Sequence, residues 1–145
     1  MEYCIRVATD NDKKPLTLLM KEHALYEGGD IEIHKHQKMN NLKALPVIIY
    51  VVERKDNLIG YMSVIKQFST WGMNWYLYLD CLYLTEATRG YGIGLKLMQK
   101  LKEIAEFENI NVIQWQTPED NHQAIKFYHK LGAINKVKQR FFWSI

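Results

Sequence analysis

Cysteine is scarce: the 145 residues hold two, Cys4 and Cys81, far apart, with no CxxC and no His pair at ligand spacing. That pattern excludes a disulfide framework and a structural zinc site, so no metal is expected and both thiols are expected to be reduced core residues. No apolar run is long enough to span a membrane. The opening MEYCIRVATD has neither the basic flank nor the apolar stretch of a secretory leader, so a soluble, cytoplasmic chain is expected. Charge of one sign is also missing: 19 Lys and Arg against 16 Asp and Glu leave a scattered +3 without a basic tail. Nucleic acid is therefore not called for as a partner, and the aromatics fall in strand-core positions. No internal repeat or low-complexity tract appears. A hydrophobic share of 48% over this length fits one domain, 1–145, with a sizeable core.

What is present reads in order as alternating strands and helices. Tyr3 to Ala8 alternates as a first strand, Asp10, Asn11 or Asp12 caps a helix before Pro15, and Leu16, Leu19, Met20 and His23 share one face until Gly28-Gly29. The polar stretch from Asp30 to Leu45 reads as a loop with room for a short helix. His34 and His36 within it lack a partner pair and receive no chemistry. VIIYVVE, the turn RKDN and LIGYMSVIKQF form an antiparallel hairpin, with Gly60 marking a bulge or a close backbone approach. STWGMN turns into the strand Trp75 to Leu84. After a central helix, NVIQWQ reads as a fifth strand, and Asn121 to Leu131 as a helix stopped by Gly132. Val137 to Ile145, with RFFWSI, reads as a last strand or pair of strands. The order predicts an α/β domain with a mixed sheet covered by helices.

The chain is organised around the stretch in which an aromatic-rich strand meets a glycine loop and a helix. Gly90, Gly92 and Gly94 remove Cβ atoms where the loop enters the helix, so backbone N–H groups can approach an anion closely, and phosphate is the natural ligand. The spacing is not the dinucleotide G-x-G-x-x-G, and no G-K-[ST] follows.

Arg89, Gly92 and Gly94 form an R-x-x-G-x-G that resembles the pyrophosphate-binding motif of the GCN5-related N-acetyltransferases (GNAT). NHQAIKFYHKLGA resembles that family's later motif through Asn121, Ala124, Tyr128 and the ending Leu131-Gly132-Ala133. Within the family, IRVAT, KEHALYEG, the Trp-containing turn and RGYGIG look like the diamine (spermidine/spermine and thialysine type) acetyltransferases. That group usually carries Glu then Asp where this chain has Asp80-Cys81.

The resemblance implies the acyl-CoA N-acyltransferase fold, a mixed and mostly antiparallel sheet with helices on both faces, and acetyl-CoA as co-substrate. Leu82 and Leu84 would hold the pantetheine arm by backbone pairing. Arg89, Gly90, Tyr91, Gly92, Ile93, Gly94 and Leu95 would wrap the pyrophosphate, with Asn121 on the cofactor arm. Whether Arg89 acts through its main chain or its side chain stays open. An alkylammonium with a pKa of roughly 10.4 must lose a proton before it attacks, and Asp80 is the implied base, acting through water, with burial expected to tune it. A carboxylate that bridges sheet groups fits Asp80 as well. Tyr128 is implied as the acid for the departing thiolate, against an ordinary core tyrosine. Glu22, Glu27 and Asp30 form a possible anionic lip for a polyamine, with Tyr26 or Trp71 as a cation–π face, and read equally as solvent-facing charges. Cys81, among apolar neighbours, is not expected to take the acetyl group itself, so transfer is expected to be direct in a ternary complex.

The function expected is N-acetylation of a primary amine, best a small polyamine or diamine, with aminoglycosides, amino acids and protein amino groups as alternatives. A non-catalytic acetyl-CoA-binding or protein-interaction module on the same fold is the rival from another class. A homodimer is possible, RFFWSI serving either as an interface or as an inner strand.

Overall fold

The computed structural model describes residues 1–28 and 41–145. Asp30, His34 and His36 lie outside these described residues. The chain forms two compact units, Met1–Trp115 and Gln116–Ile145. The first carries β1 (Cys4–Val7), α1 (Lys13–Tyr26), β2 (Ile48–Arg54), β3 (Asn57–Ser69), β4 (Asn74–Leu84), α2 (Ile93–Phe107) and β5 (Ile113–Trp115). The second carries α3 (His122–Lys130).

The sheet runs β1-β2-β3-β4-β5, antiparallel except for the parallel pair β4 and β5. This is the mixed, mostly antiparallel α/β architecture that the element order predicts. Lys55 and Asp56, with φ of 49° and 61°, make the two-residue turn that joins β2 to β3. Both central residues at positive φ match the right-handed twist of the strands. At the start of α1, Asp12 accepts the Thr9 N–H at 2.7 Å and two bonds from Arg6 at 2.7 and 2.9 Å. The Arg6 hydrogen bond outweighs burial and lowers the Asp12 carboxyl to about 2.

Register explains how both faces are covered. Val51 pairs with Tyr61 and Tyr61 with Tyr83, and these three lie with Ile49 under Leu16 and Leu19 of α1. Their neighbours Val52, Met62 and Val64 point to the other face and are also buried. There α2, which touches β4, contributes buried Ile93, Leu97, Leu101 and Ala105. At Gly60 an added Cβ would lie 2.5 Å from Leu84 Cδ2 and 2.7 Å from the Tyr83 carbonyl, so close approach of β3 and β4 requires the glycine.

Two expectations are corrected. Residues 133–145 form no strand, and Phe141, Phe142 and Trp143 are 87%, 77% and 92% exposed. An aromatic run meets strand propensity, but pairing needs a neighbour, and this segment pairs with no strand among the described residues. Cys4 is exposed and Cys81 only partly buried, so neither is an enclosed core thiol; Cys4 lies on the edge strand β1.

Candidate functional site

The sheet is irregular at one point of β4. Ser63 pairs with Cys81 but Val64 with Leu79, which leaves Asp80 as an extra residue opposite the Ser63–Val64 step. Such a bulge reverses the alternation of side chains, so Leu79 and Cys81 face opposite sides although they are two residues apart. Asp80 is turned outward and is exposed, contrary to the expected burial. The buried Ser63 donates its hydroxyl to Asp80 Oδ2 at 3.4 Å, and the Cys81 thiol lies 3.8 Å from the same oxygen.

The parallel partner of β4 ends at the same place. β5 pairs with Leu77, Tyr78 and Leu79 only, so residues 80–84 have no strand on that side among the described residues. The backbone of Leu82 and Leu84 lies along this open stretch. The Leu84 carbonyl, however, accepts the Arg89 Nε–H at 3.0 Å.

A single helical turn at Glu86–Thr88 leads from β4 to the glycine loop. Gly90 and Gly92 take φ of 83° and 78°, and Gly92 is the N-cap of α2 with no side-chain cap bond. A Cβ at either glycine would meet no atom within 4 Å, so left-handed backbone, rather than crowding, demands glycine there. The first N–H groups of α2, from Ile93 to Leu95, therefore sit at a helix start with no side-chain cap, a setting that suits an anion. The Ile93 side chain is buried at 1% exposure, so only its backbone can serve, while Tyr91 is exposed.

The acidic lip is not assembled as expected. The Arg89 guanidinium lies over the Tyr26 ring at 4.3 Å and near the Tyr83 ring at 5.6 Å, so the cation already on Tyr26 is the loop arginine. Arg89 thus works through its side chain as a tie between loop and α1. Glu27 bonds His23 at 3.0 Å, and Glu22 faces the Tyr83 hydroxyl. Trp71, fully exposed, sits in the turn before β4, at the far end of that strand from Tyr83. Ten residues of strand separate the two ends by roughly 30 Å, so Trp71 does not join Glu22 and Tyr26.

A buried group at this end was not assigned to the site from sequence. His23 is 8% exposed, with Nδ1 at 2.7 Å from the Tyr61 hydroxyl, Nε2 on Glu27, and its ring stacked on Tyr83 at 5.0 Å. Burial opposes its charge, but hydrogen bonding to Cys81 and to Glu27 outweighs burial and raises His23 to about 9. Burial, with the neighbouring Cys81, Asp80 and Glu27, pushes the Tyr61 hydroxyl well above its usual range and keeps it a donor. The signal available in the sequence was a histidine on the apolar stripe of α1 with Glu27 one turn later.

In the second unit, Asn121 caps α3 by accepting the Ala124 N–H at 3.2 Å. Tyr128, on the same helix, is half-buried with its ring 5.3 Å from that of Phe127. Gly132, at φ of 90°, ends the helix as expected.

Residues 16–133, across both units, match the acetyltransferase (GNAT) family. The thialysine N-epsilon-acetyltransferase of Bos taurus is 32% identical over 77 residues, 52% of this chain and 44% of that protein. The D-amino-acid N-acetyltransferase HPA3 of Saccharomyces cerevisiae is 29% identical over 74 residues, 51% of this chain and 46% of that protein. The matched stretch takes in less than half the length of either relative. An aminoglycoside acetyltransferase from an uncultured soil metagenomic sample superposes with a TM-score of 0.81 at 19% identity, covering 100% of both chains. A ribosomal-protein-alanine N-acetyltransferase from Brucella melitensis biovar Abortus 2308 gives 0.77 at 17% identity, over 99% of this chain and 100% of that one.

Proposed function

The chain belongs to the acetyltransferase (GNAT) family, and from that premise we propose that it transfers an acetyl group from acetyl-CoA to a primary amine, directly in a ternary complex. The observation that carries the reading is the continuity of the open β4 backbone, residues 80–84, with the left-handed glycines and uncapped start of α2. An extended amide-bearing arm ending in a pyrophosphate fits such a surface: strand-like backbone first, then a helix N-terminus. When bound, acetyl-CoA supplies the activated acyl group.

The chain's own residues then divide the work. Leu82 offers backbone hydrogen bonds to the arm, and the first N–H groups of α2 bind the pyrophosphate, while Arg89 holds the loop against Tyr26. Asp80, turned outward by the bulge and steadied by Ser63, accepts the ammonium proton through water. Tyr128 donates a proton to the departing thiolate, a role assigned from its register with Asn121 in the family motif. The acceptor is a small diamine or polyamine, supported by the similarity to the thialysine enzyme and by Glu22 and Asp80 as anionic groups. An aminoglycoside is the second reading, supported by the fold likeness to the soil-derived enzyme.

A thiol-release assay with acetyl-CoA and a panel of diamines, polyamines, lysine analogues, aminoglycosides and peptides tests this directly. Release that depends on a small diamine supports the proposal. Acetyl-CoA binding with no amine-dependent release would instead make the chain a binding module.

A further inference from the structure

Two opposite charges stand on the α1 side of β4 without ionic partners. The exposed Asp80 carboxylate lies against Ser63 and Cys81, and Cys81 packs on the cluster that holds Tyr61, Tyr83, Leu16 and Leu19. Beyond the end of the strand, the half-buried Arg89 guanidinium lies over the rings of Tyr26 and Tyr83 at 4.3 and 5.6 Å, with Nε–H held by the Leu84 carbonyl at 3.0 Å. Among the described residues neither Asp80 nor Arg89 belongs to an ion pair. Four residues of strand lead from Asp80 to Leu84, roughly 13 Å, so the two charges are too far apart to neutralise each other directly. We propose that Arg89 is a specificity-determining residue that receives a carboxylate at the far end of the acceptor while Asp80 faces the reacting amine. The acceptor is then narrowed to a diamino acid of the lysine or ornithine kind, acetylated on its side-chain amine, a conclusion that rests on the acetyl transfer proposed above.

Length supports this class. With a hydrogen bond of about 3 Å at each end, the interval of roughly 13 Å leaves about 7 Å for the acceptor. An extended chain of about five or six bonds, each about 1.5 Å long, fills that space, as between the side-chain nitrogen and the carboxyl carbon of ornithine or lysine. A water at Asp80 shortens the fit by a bond or two. The adjacent amine and carboxyl of a simple α-amino acid do not bridge it. Charge acts in the same direction. With Nε–H tied to Leu84, the terminal guanidinium nitrogens keep the planar fork that matches a carboxylate. The second ammonium of a polyamine would meet that guanidinium as a like charge and would find the Tyr26 face already covered by a cation. Glu22, one turn before Tyr26 on α1, is the acidic group that works against the preference.

The test compares lysine with cadaverine, the same chain without the carboxylate, using the full protein at saturating acetyl-CoA and mass spectrometry to place the acetyl group. Lysine should be favoured by about tenfold or more in kcat/KM and modified at its side-chain amine. Arg89→Ala should bring that ratio to about one, and Arg89→Lys, which keeps the charge but not the fork, should retain part of it. Glu22→Gln should raise it. Both amines meet the same loop, so any loss of acetyl-CoA affinity in Arg89→Ala cancels in the ratio. A native ratio near one or below, a ratio unmoved in folded Arg89→Ala, or acetylation at the α-amine would overturn the proposal. Absence of thiol release with every amine would defeat the acetyl-transfer reading instead. Calorimetric titration of the two amines into the chain with coenzyme A present then still measures the preference, and equal or undetectable binding there would overturn the role of Arg89.

Discussion

The Arg89 guanidinium lies 4.3 Å from the centre of the Tyr26 ring, joining the first residue of the glycine motif to the last residue of α1. A cation over an aromatic face is worth roughly 0.5–2 kcal/mol, and its Nε–H bond to Leu84 adds a second anchor. Arg89→Ala should therefore weaken acetyl-CoA affinity by about tenfold while costing little stability. Titration calorimetry checks this, and unchanged affinity would show that the loop holds its shape without the tie.

Gly92→Val forces a branched side chain into left-handed backbone, at a cost of roughly 1–2 kcal/mol. The domain should stay folded, but the rise in melting temperature that acetyl-CoA gives to the native protein should disappear. A full thermal shift in the variant would remove this loop from the cofactor site.

If Asp80 takes the proton of the amine, Asp80→Asn should depress kcat/KM most at low pH and be partly rescued as pH rises toward the amine pKa of roughly 10.4. Free amine then arrives without help from a base. The same fold-loss at every pH would assign Asp80 to positioning instead.

Tyr128→Phe keeps the ring against Phe127 and removes only the hydroxyl. As the acid for the thiolate it should lower kcat by roughly 10²-fold with acetyl-CoA affinity nearly unchanged. Near-normal kcat with a modest drop in melting temperature would make it a structural tyrosine.

His23 links folding to pH. Its folded pKa of about 9 lies above the ordinary 6.5, so the stability it contributes is complete below about pH 6.5 and is lost as pH rises through about 9. The groups facing it are Glu27 from α1, Tyr61 from β3, and Cys81 and Tyr83 from β4, with Asp80 beside Cys81. Urea midpoints of the native chain should fall across that window, and His23→Gln should flatten the fall. Parallel curves would mean that His23 stays neutral in the folded state.

Local physics made much of this chain legible from its residues. Apolar runs and helical patterns marked the five strands and three α-helices found among the described residues. Gly28 and Gly132 marked two helix ends because left-handed caps favour glycine, and Gly90 and Gly92 marked the loop into α2, where they too take left-handed backbone. Tertiary structure decided what depends on register and on partners. A one-residue bulge cannot be read from alternation, yet it left Asp80 exposed and placed Cys81 against the cluster of Leu16, Leu19 and Tyr61. Tyr26, free in sequence to receive a substrate cation, was already covered by Arg89, some sixty residues away in sequence. The aromatic tail had strand propensity but pairs with no strand among the described residues, because β pairing is a contract between two segments and only one of them is visible in a run of residues.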